Sequence, residues 1–366
     1  MAVVGAGLAG LACARDLAER GRSVALIDQK PELSDSVHTT GIFVRRTLED
    51  FEFPQGCLGP VIRDVTLYSP RRRPLRLHSD HAEYRIGRMG LLYLRLLALA
   101  REAGVEWIPG ARVVGVEGTC VAVERGAGRE LVRARFVVGA DGVASTVARA
   151  LGLDINREWI VGVEEVFEGV PLRGAPRLHC VLDPELAPGY LAWVAHDGEE
   201  VHVGVGGYPQ RFQPARALER FHSTIGDIVD LSRARPSERR GGRIPVGGLL
   251  ARIVSTRGLL LGDASGAVSP LTAGGLDPCL RQSRFAAQVI DSYLRTGDEQ
   301  ALAGYSDRRL RSRFRARRVL RRVFARAPSA GLTEAACAVL RVPGVDRIAR
   351  HIFFGRGSFP EPAECR

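Results

Sequence analysis

The chain opens with a short apolar run, a glycine turn and an amphipathic stretch. "AVVGAGLAGLACARDLAERG" predicts strand, tight turn and helix, and "SVALID" (23–28) predicts a second strand. Residues 29–60 read as loop with a short helix around "RRTLEDF". Three short strands are expected in "VIRDVTLYSP", "PLRLHS" and "AEYRI". "RMGLLYLRLLALAREAG" carries a helical period ending at Gly104. "RVVGVEG" and "CVAVERG" alternate as a hairpin, and "LVRARFVVGADG" runs from strand into turn, followed by a short helix in "STVARALG". Alternation dominates residues 159–207, including "YLAWVAHDGEEVHVGVGG" around Asp197-Gly198. Helical periods return near 214–233, "GLLLGD" is the last core strand, and the chain after 273 is helical.

Helix-flanked strands at both ends, with an all-strand block between, predict an α/β fold: a Rossmann-like nucleotide domain interrupted by a β-rich substrate domain, with a helical C-terminus. The expected boundaries are 1–60, 88–155 and 255–300 for the nucleotide domain, 61–87 and 156–254 for the substrate domain, and 301–366 for the C-terminal region. The length of 366 residues with 45% apolar content supports a core of that size. The richest apolar run, "LLYLRLLALA" (91–100), is interrupted by Arg95 and is too short to span a bilayer. The first residues read as strand and phosphate loop rather than as a leader, and a cytoplasmic protein is expected. Seven scattered cysteines without a CxxC pair support neither a zinc site nor a disulfide framework, and no metal is expected.

The formal net charge of +11 is concentrated: residues 308–326, "RRLRSRFRARRVLRRVFAR", hold ten arginines and no acid, so the remainder is nearly neutral. Arg308, Arg311, Arg315, Arg318, Arg322 and Arg326 share one side of a helical wheel. Leu310, Phe314, Val319, Leu320, Val323 and Phe324 occupy the rest. A solvated arginine face over an apolar side packed on the domain is the reading taken. Peripheral contact with an anionic membrane surface is the alternative. Nucleic-acid binding is not supported, because no aromatic stacking series accompanies the arginines.

Three motifs carry chemistry. In the first, Gly5 permits a tight turn, Gly7 lets the backbone approach a pyrophosphate, and Gly10 lets helix pack on strand; Leu8 and Ala9 lie between them at the helix start. The helix N-terminus offers free amides to phosphate. Asp28, followed by Gln29, closes the second strand where a carboxylate would bond ribose hydroxyls. The second motif is Asp141-Gly142 after a strand, which by itself is also an ordinary turn. The third is "LLLGDASGAVSPLTAGGL" (259–276). Asp263 ends a buried strand and needs polar partners such as a polyol, and Gly274 and Gly275 stand at the mouth of a helix, suited to an anionic ring edge.

In this order the motifs resemble the FAD-binding fold shared by flavoprotein aromatic hydroxylases, flavin-dependent halogenases, lycopene cyclases and geranylgeranyl reductases, over roughly residues 1–300. The resemblance implies that Asp28 holds the adenosine ribose and that the Val113 backbone meets adenine. Arg88 and Asp263 would contact the pyrophosphate–ribityl region. Gly274, Gly275 and Leu276 would face the N1–O2 edge of the flavin. "SPLTAGGLDPCLRQS" is most similar to the geranylgeranyl reductase branch, and "PGYLAWVAHDGEEVHVGVGG" is similar to that branch's aromatic segment lining the substrate cavity. Tyr190 and Trp193 are therefore candidates for an apolar substrate's wall, or else core aromatics. Thr39 and Thr40 stand where some members carry a cysteine, with His38 beside them. Ser265-Gly266 replaces the hydroxylases' usual His, and the halogenases' Trp-x-Trp segment is not visible.

The function implied is an FAD oxidoreductase that reduces carbon–carbon double bonds of a prenyl, polyene or similar apolar substrate. NAD(P)H or another reductant is the electron donor. A monooxygenase acting on a small organic molecule is the first alternative, and a flavin electron-transfer partner the second. The proton donor has no assignment from sequence, with Tyr190 the only suggestion.

Overall fold

The computed structural model describes residues 1–355 except 36, 172–173, 307, 313 and 327–328; of Arg308, Arg309, Phe324 and Arg326 it describes the backbone alone. Cys365 and the rest of 356–366 lie outside the described residues.

The glycine turn sits where the sequence puts it. Ala2–Val4 is fully buried and pairs in parallel with Ala25–Ile27 on one side and Val137–Gly139 on the other. Glu106–Ile108 extends the sheet beyond Ala25–Ile27, and Gly258–Leu260 extends it beyond Val137–Gly139. A short antiparallel strand, Val254–Ser255, completes six strands. The four central strands are buried on both faces, so they read as unbroken apolar runs rather than as alternation. The helices Leu8–Glu19, Met89–Glu102 and Leu276–Thr296 pack together beside this sheet, bringing the start and the end of the chain into one core.

A second sheet has seven strands in the order Glu238–Pro245, Trp159–Glu168, Glu200–Gly207, Ala192–His196, Arg177–Val181, Asp64–Tyr68, Pro74–His78. All neighbours are antiparallel except Arg177–Val181 with Asp64–Tyr68. The strand Glu238–Pro245, "ERRGGRIP", is not expected from sequence. Its side chains alternate between exposed and half-buried, so its outward face carries charge and its period is hidden by arginines and glycines. The predicted helical stretch 214–233 shrinks to Pro214–Thr224. The expected run that starts at Leu131 divides into the end of an edge strand Gly128–Arg133, part of a three-stranded sheet with Arg112–Glu117 and Cys120–Arg125, and the buried Val137–Gly139.

The C-terminal region is helical, but its basic segment is arranged differently from the expectation. It forms two helices, Arg308–Ser312 and Arg315–Arg326. Leu310 and Phe314 are buried as expected. In the second helix the order inverts: Arg321 is 2% exposed, while Val319 and Val323 are 59% and 62% exposed. The reason is local. Arg321 donates to the Tyr208 hydroxyl at 3.1 Å and lies over the rings of Tyr190 and Tyr208, partners that a valine could not use. The expectations for the side chains of Arg308, Phe324 and Arg326 lie outside the described residues. No described helix is long and apolar enough to cross a membrane.

Candidate active site

A cavity of about 1020 Å³ runs between the two sheets. It begins at the glycine turn, where Gly5 adopts φ +99°, a conformation that favours glycine, and donates to Ile27 O at 2.8 Å. Gly7 precedes Leu8–Glu19 with no side chain capping the helix, so the first amides face the cavity. Gly5, Gly7, Leu8 and Ala9 line it, and Gly10 does not: it is packed against the turn itself. Asp28 and Gln29 line the same end. The Asp28 carboxylate accepts from Ala6 N at 2.6 Å and Lys30 N at 2.8 Å, which fixes it beside the turn and leaves lone pairs for a ribose. Val113 lines this end as well.

Asp141 lines the cavity, yet its carboxylate is already occupied. It accepts from the Ser145 hydroxyl at 2.6 Å and from the amides of Thr146 and Val147, closing the start of the helix Thr146–Ala150. The turn reading accounts for these bonds. Arg88 is not among the lining residues; its guanidinium pairs with Glu199 at 2.9 Å. Lys30, Arg45, Arg46 and Arg112 are cations that do line the cavity.

The segment 262–276 forms the middle of the cavity. Asp263 lines it, and burial pushes its carboxyl up to about 6. Its backbone carbonyl accepts from Asn156 Nδ2 at 2.8 Å, which holds the turn while the carboxyl stays on the cavity wall. Ser265 is fully buried, bonded to Gln282 Oε1 and Gly262 O, so it is part of the turn's framework. Gly275 precedes the 21-residue helix Leu276–Thr296, again with no side-chain cap, and Gly274, Gly275 and Leu276 all line the cavity. Two helix N-termini thus open on one cavity, which suits a ligand anionic in two places.

The far end is bounded by the seven-stranded sheet. Tyr190 and Trp193 line it, edge to face at 6.4 Å, and the Tyr190 hydroxyl donates to Thr272 O at 2.9 Å. Burial raises the Tyr190 phenol, so it stays protonated. His38, Thr39 and Thr40 line the cavity as well, with Thr40 close to Trp193 through Glu164. Behind them lies a feature that the sequence reading missed. Arg240, Glu164, Gly204 and Trp193 are successive cross-strand neighbours, and His202 lies two residues from Gly204 on the same face. Without a side chain at Gly204 the Trp193 ring can cross the row; a Cβ there would stand 2.2 Å from it. Glu164 accepts from Trp193 Nε1 at 3.0 Å, from the Thr40 hydroxyl, and from His202 Nδ1 at 3.1 Å. Burial would raise this carboxyl, but His202, Thr40 and Trp193 hold it below its ordinary value. Burial would likewise lower His202; Glu164 and Asp197 reverse that and push it up to about 9. Asp197, against the same burial effect, is held down at about 2 by His202 and the amides of Glu200 and Glu199. His202 is therefore an imidazolium between carboxylates. That also accounts for the close approach, within 4.8 Å, of metal-ligand-type atoms from Asp197, Glu200 and His202. The alternation in 159–168 points to Glu164 facing inward, but nothing in the sequence pairs it with His202.

Comparisons agree with this geometry. Residues 1–85 match the family described as FAD dependent oxidoreductase, and residues 96–322 match that described as FAD binding domain. A digeranylgeranylglycerophospholipid reductase of Haloferax volcanii is 30% identical over 328 residues, 82% of this chain and 78% of the relative. Digeranylgeranylglycerophospholipid reductase 1 of Methanopyrus kandleri is 37% identical over a shorter 130 residues, 34% of this chain and 35% of the relative. Among solved structures, a geranylgeranyl bacteriochlorophyll reductase-like protein of Thermoplasma acidophilum has the same fold, with TM-score 0.84, 21% identity, and 97% and 96% of the two chains covered. This chain belongs to the FAD binding domain family, in its geranylgeranyl reductase-like branch.

Proposed function

We propose that the chain uses FAD to reduce carbon–carbon double bonds of a prenyl or polyene lipid. The observation that carries the reading is the continuity of the cavity. From the glycine turn it passes Gly274 and Gly275 and ends in an apolar lobe lined by Leu67, Leu178, Leu182, Leu191 and Phe353. A phosphate-bearing cofactor suits the first part, and a hydrocarbon chain the last. The names of the relatives, reductases of geranylgeranyl lipids, point the same way.

FAD supplies hydride transfer when bound. The protein's share is placement. Asp28 is assigned to the adenosine ribose, Val113 to adenine, Asp263 to the ribityl region, and the amides of Gly274, Gly275 and Leu276 to the N1–O2 edge of the ring. Tyr190 and Trp193 wall the substrate. Segments 1–60, 88–155 and 255–300 hold the cofactor, and 61–87 with 156–254 hold the lipid. The electrons come from NAD(P)H or another external reductant, and the protein works from the cytoplasm. The test is anaerobic: reduced protein is mixed with vesicles carrying a geranylgeranyl glycerophospholipid, and flavin absorbance is followed. Reoxidation by the lipid supports the reading. A flavin that stays reduced until air is admitted contradicts it.

Asp263→Asn separates cofactor binding from stability. The folded carboxyl has a raised pKa, so the folded state binds more protons than the unfolded one between about pH 4 and pH 6. Stability therefore falls as pH rises through that window. The neutral amide removes this penalty. The Asp263→Asn apoprotein is expected to be more stable than native apoprotein at pH 7 by about 1–3 kcal/mol, while the loaded variant releases FAD more readily. Thermal melts of apoprotein and FAD release measured side by side check both halves.

Membrane contact through the C-terminal helices belongs to the same reading. Val319, Leu320, Val323 and Leu332 are exposed, with Arg315 and Arg322 exposed among them. The protein is expected to sediment with phosphatidylglycerol vesicles and to be released by salt. Replacing Val319, Leu320 and Val323 with serine should abolish sedimentation without altering FAD content.

A further inference from the structure

We propose that His202, Glu164 and Thr40 form a relay that carries a solvent proton from the turn Asp197–Glu200 to the substrate cavity. The proposal rests on the reductase reading, because it supplies what that reaction consumes. Adding hydrogen across a double bond takes a hydride and a proton. The lobe that would hold the double bond is apolar, and bulk water would have to cross it to deliver the proton.

A line of polar groups lies beside that lobe, hydrogen-bonded from His202 Nδ1 through Glu164 to Thr40, while His202 Nε2 makes no hydrogen bond and faces carboxylates at ion-pair distance. Glu200, whose side chain is partly exposed, places a carboxylate oxygen 3.9 Å from His202 Nε2, and Asp197 places one at 3.6 Å. On the other side of the ring, His202 Nδ1 is 3.1 Å from Glu164 Oε1. The second Glu164 oxygen accepts from Thr40, which lines the cavity. Trp193 Nε1 donates to the same oxygen at 3.0 Å. An indole N–H does not exchange in this role, so Trp193 is a positioning residue that fixes the carboxylate. The charged groups facing the relay come from every neighbouring element. Arg240 lies 3.6 Å from Glu164 and 3.8 Å from Glu200, Glu238 holds Arg240 at 2.6 Å, and His196 is close enough to His202 for each to feel the other's charge.

A purely structural ion pair would not need this layout. Buried pairs of this kind add little over apolar packing of the same volume. Here the pair is joined at one end to a hydroxyl from a different segment, the loop before Gly41, and at the other to a partly exposed acid. The first link is a hydrogen bond that sheet pairing does not require, and the second is an ion-pair approach at 3.9 Å that solvent reaches through the partly exposed Glu200.

The step balances as follows. The hydride with its electron pair is the cofactor's contribution and forms one C–H bond. The second C–H bond forms as the Thr40 Oγ–H bond breaks. His202 Nδ1–H first gives its proton to the Glu164 carboxylate, and the neutral Glu164 then replaces the proton that Thr40 delivers and returns to carboxylate. His202 passes from imidazolium to imidazole and is recharged from solvent past Asp197 and Glu200. The alkene is reduced, the flavin is oxidised, and the external reductant restores the flavin.

The test uses FAD-loaded protein, reduced with dithionite without air and mixed with vesicles carrying a geranylgeranyl glycerophospholipid, in H₂O and D₂O. Lipid binding is read separately from quenching of flavin fluorescence. Native protein should insert one solvent deuterium per reduced double bond, at a rate that declines as His202 loses its proton. Thr40→Val should slow reoxidation by roughly 100-fold or more with unchanged lipid quenching and FAD content, and Thr40→Ser should restore most of the rate. Glu164→Gln should slow it similarly and lower the pH at which His202 titrates in NMR of histidine-labelled protein. Native rates and native pH profiles in both Thr40→Val and Glu164→Gln overturn the relay and leave the reductase reading standing. A native reduced flavin that the lipid fails to oxidise overturns both.

Discussion

Gly10→Ala should strip the protein of FAD and destabilise it by about 3 kcal/mol or more. The methyl group would stand 1.8 Å from the backbone carbonyl oxygen of Gly5 and 3.3 Å from Ala140 Cβ. The obstacle is backbone, and Gly5 is already committed to φ +99° between Val4 and the helix. No side chain can turn aside. The helix Leu8–Glu19 must move off the sheet, and with it the free amides that face the cavity. FAD affinity should drop by roughly 100-fold or more, equivalent to about 2.7 kcal/mol. Gly7→Ala is the control. A Cβ there meets nothing within 4 Å, so the fold should hold. Its methyl points into the space assigned to the pyrophosphate, so affinity alone should fall. Urea unfolding and FAD release, measured for both variants, separate the two effects. A Gly10→Ala protein that is as stable as native and stays yellow contradicts the packing described here.

The buried ion pair should make the protein sensitive to alkali. His202 is pushed up to about 9 in the fold, against an ordinary value near 6.5. The folded state therefore holds a proton that the unfolded chain gives up. The stabilisation is fully present below about pH 6.5 and is lost as pH rises through about 9; its size is on the order of 3 kcal/mol. Asp197 behaves in the opposite sense. Its folded value of about 2 gives stability that is present above its ordinary value and is lost as pH falls through about 2. Glu164→Ala removes the partner that faces the imidazolium and the acceptor for Thr40 and Trp193 at once. It should destabilise by about 3–5 kcal/mol at neutral pH. The remaining alkaline decline, now without Glu164, should be shallower. Denaturation midpoints from pH 6 to pH 10 for native protein and the alanine variant check this. A flat native profile contradicts the assignment of charge to His202.

The sequence makes one half of the site much more legible than the other, for a physical reason. The FAD half is built from turns whose geometry restricts residue type. Gly5 at positive φ, Gly10 under a carbonyl and Asp28 at a strand end leave a local signature. The other half is built from cross-strand pairs. Glu164 and His202 are 38 residues apart and meet only because Trp159–Glu168 and Glu200–Gly207 pair in one register. A shift by one residue would turn Glu164 to the other face. Glu238–Pro245 is hidden for a related reason: its charge serves a sheet edge and so breaks the apolar alternation by which strands are recognised. In the basic segment, amphipathicity places Leu310 and Phe314 inward and Arg315 and Arg322 outward correctly, but misplaces Val319, Leu320 and Val323. The wheel treats arginine as solvent-seeking, and it cannot foresee tyrosine rings that hold Arg321 inside.

The most direct test of the central claim is the fate of the lipid. FAD-loaded protein is given a chemical reductant and a geranylgeranyl glycerophospholipid in vesicles, with and without oxygen, and the lipid is examined by mass spectrometry. Double-bond reduction predicts a gain of two hydrogens per bond in the complete absence of oxygen. A lipid unchanged without oxygen, and carrying an oxygen atom when air is present, would contradict the reductase account and assign the cavity to a monooxygenase.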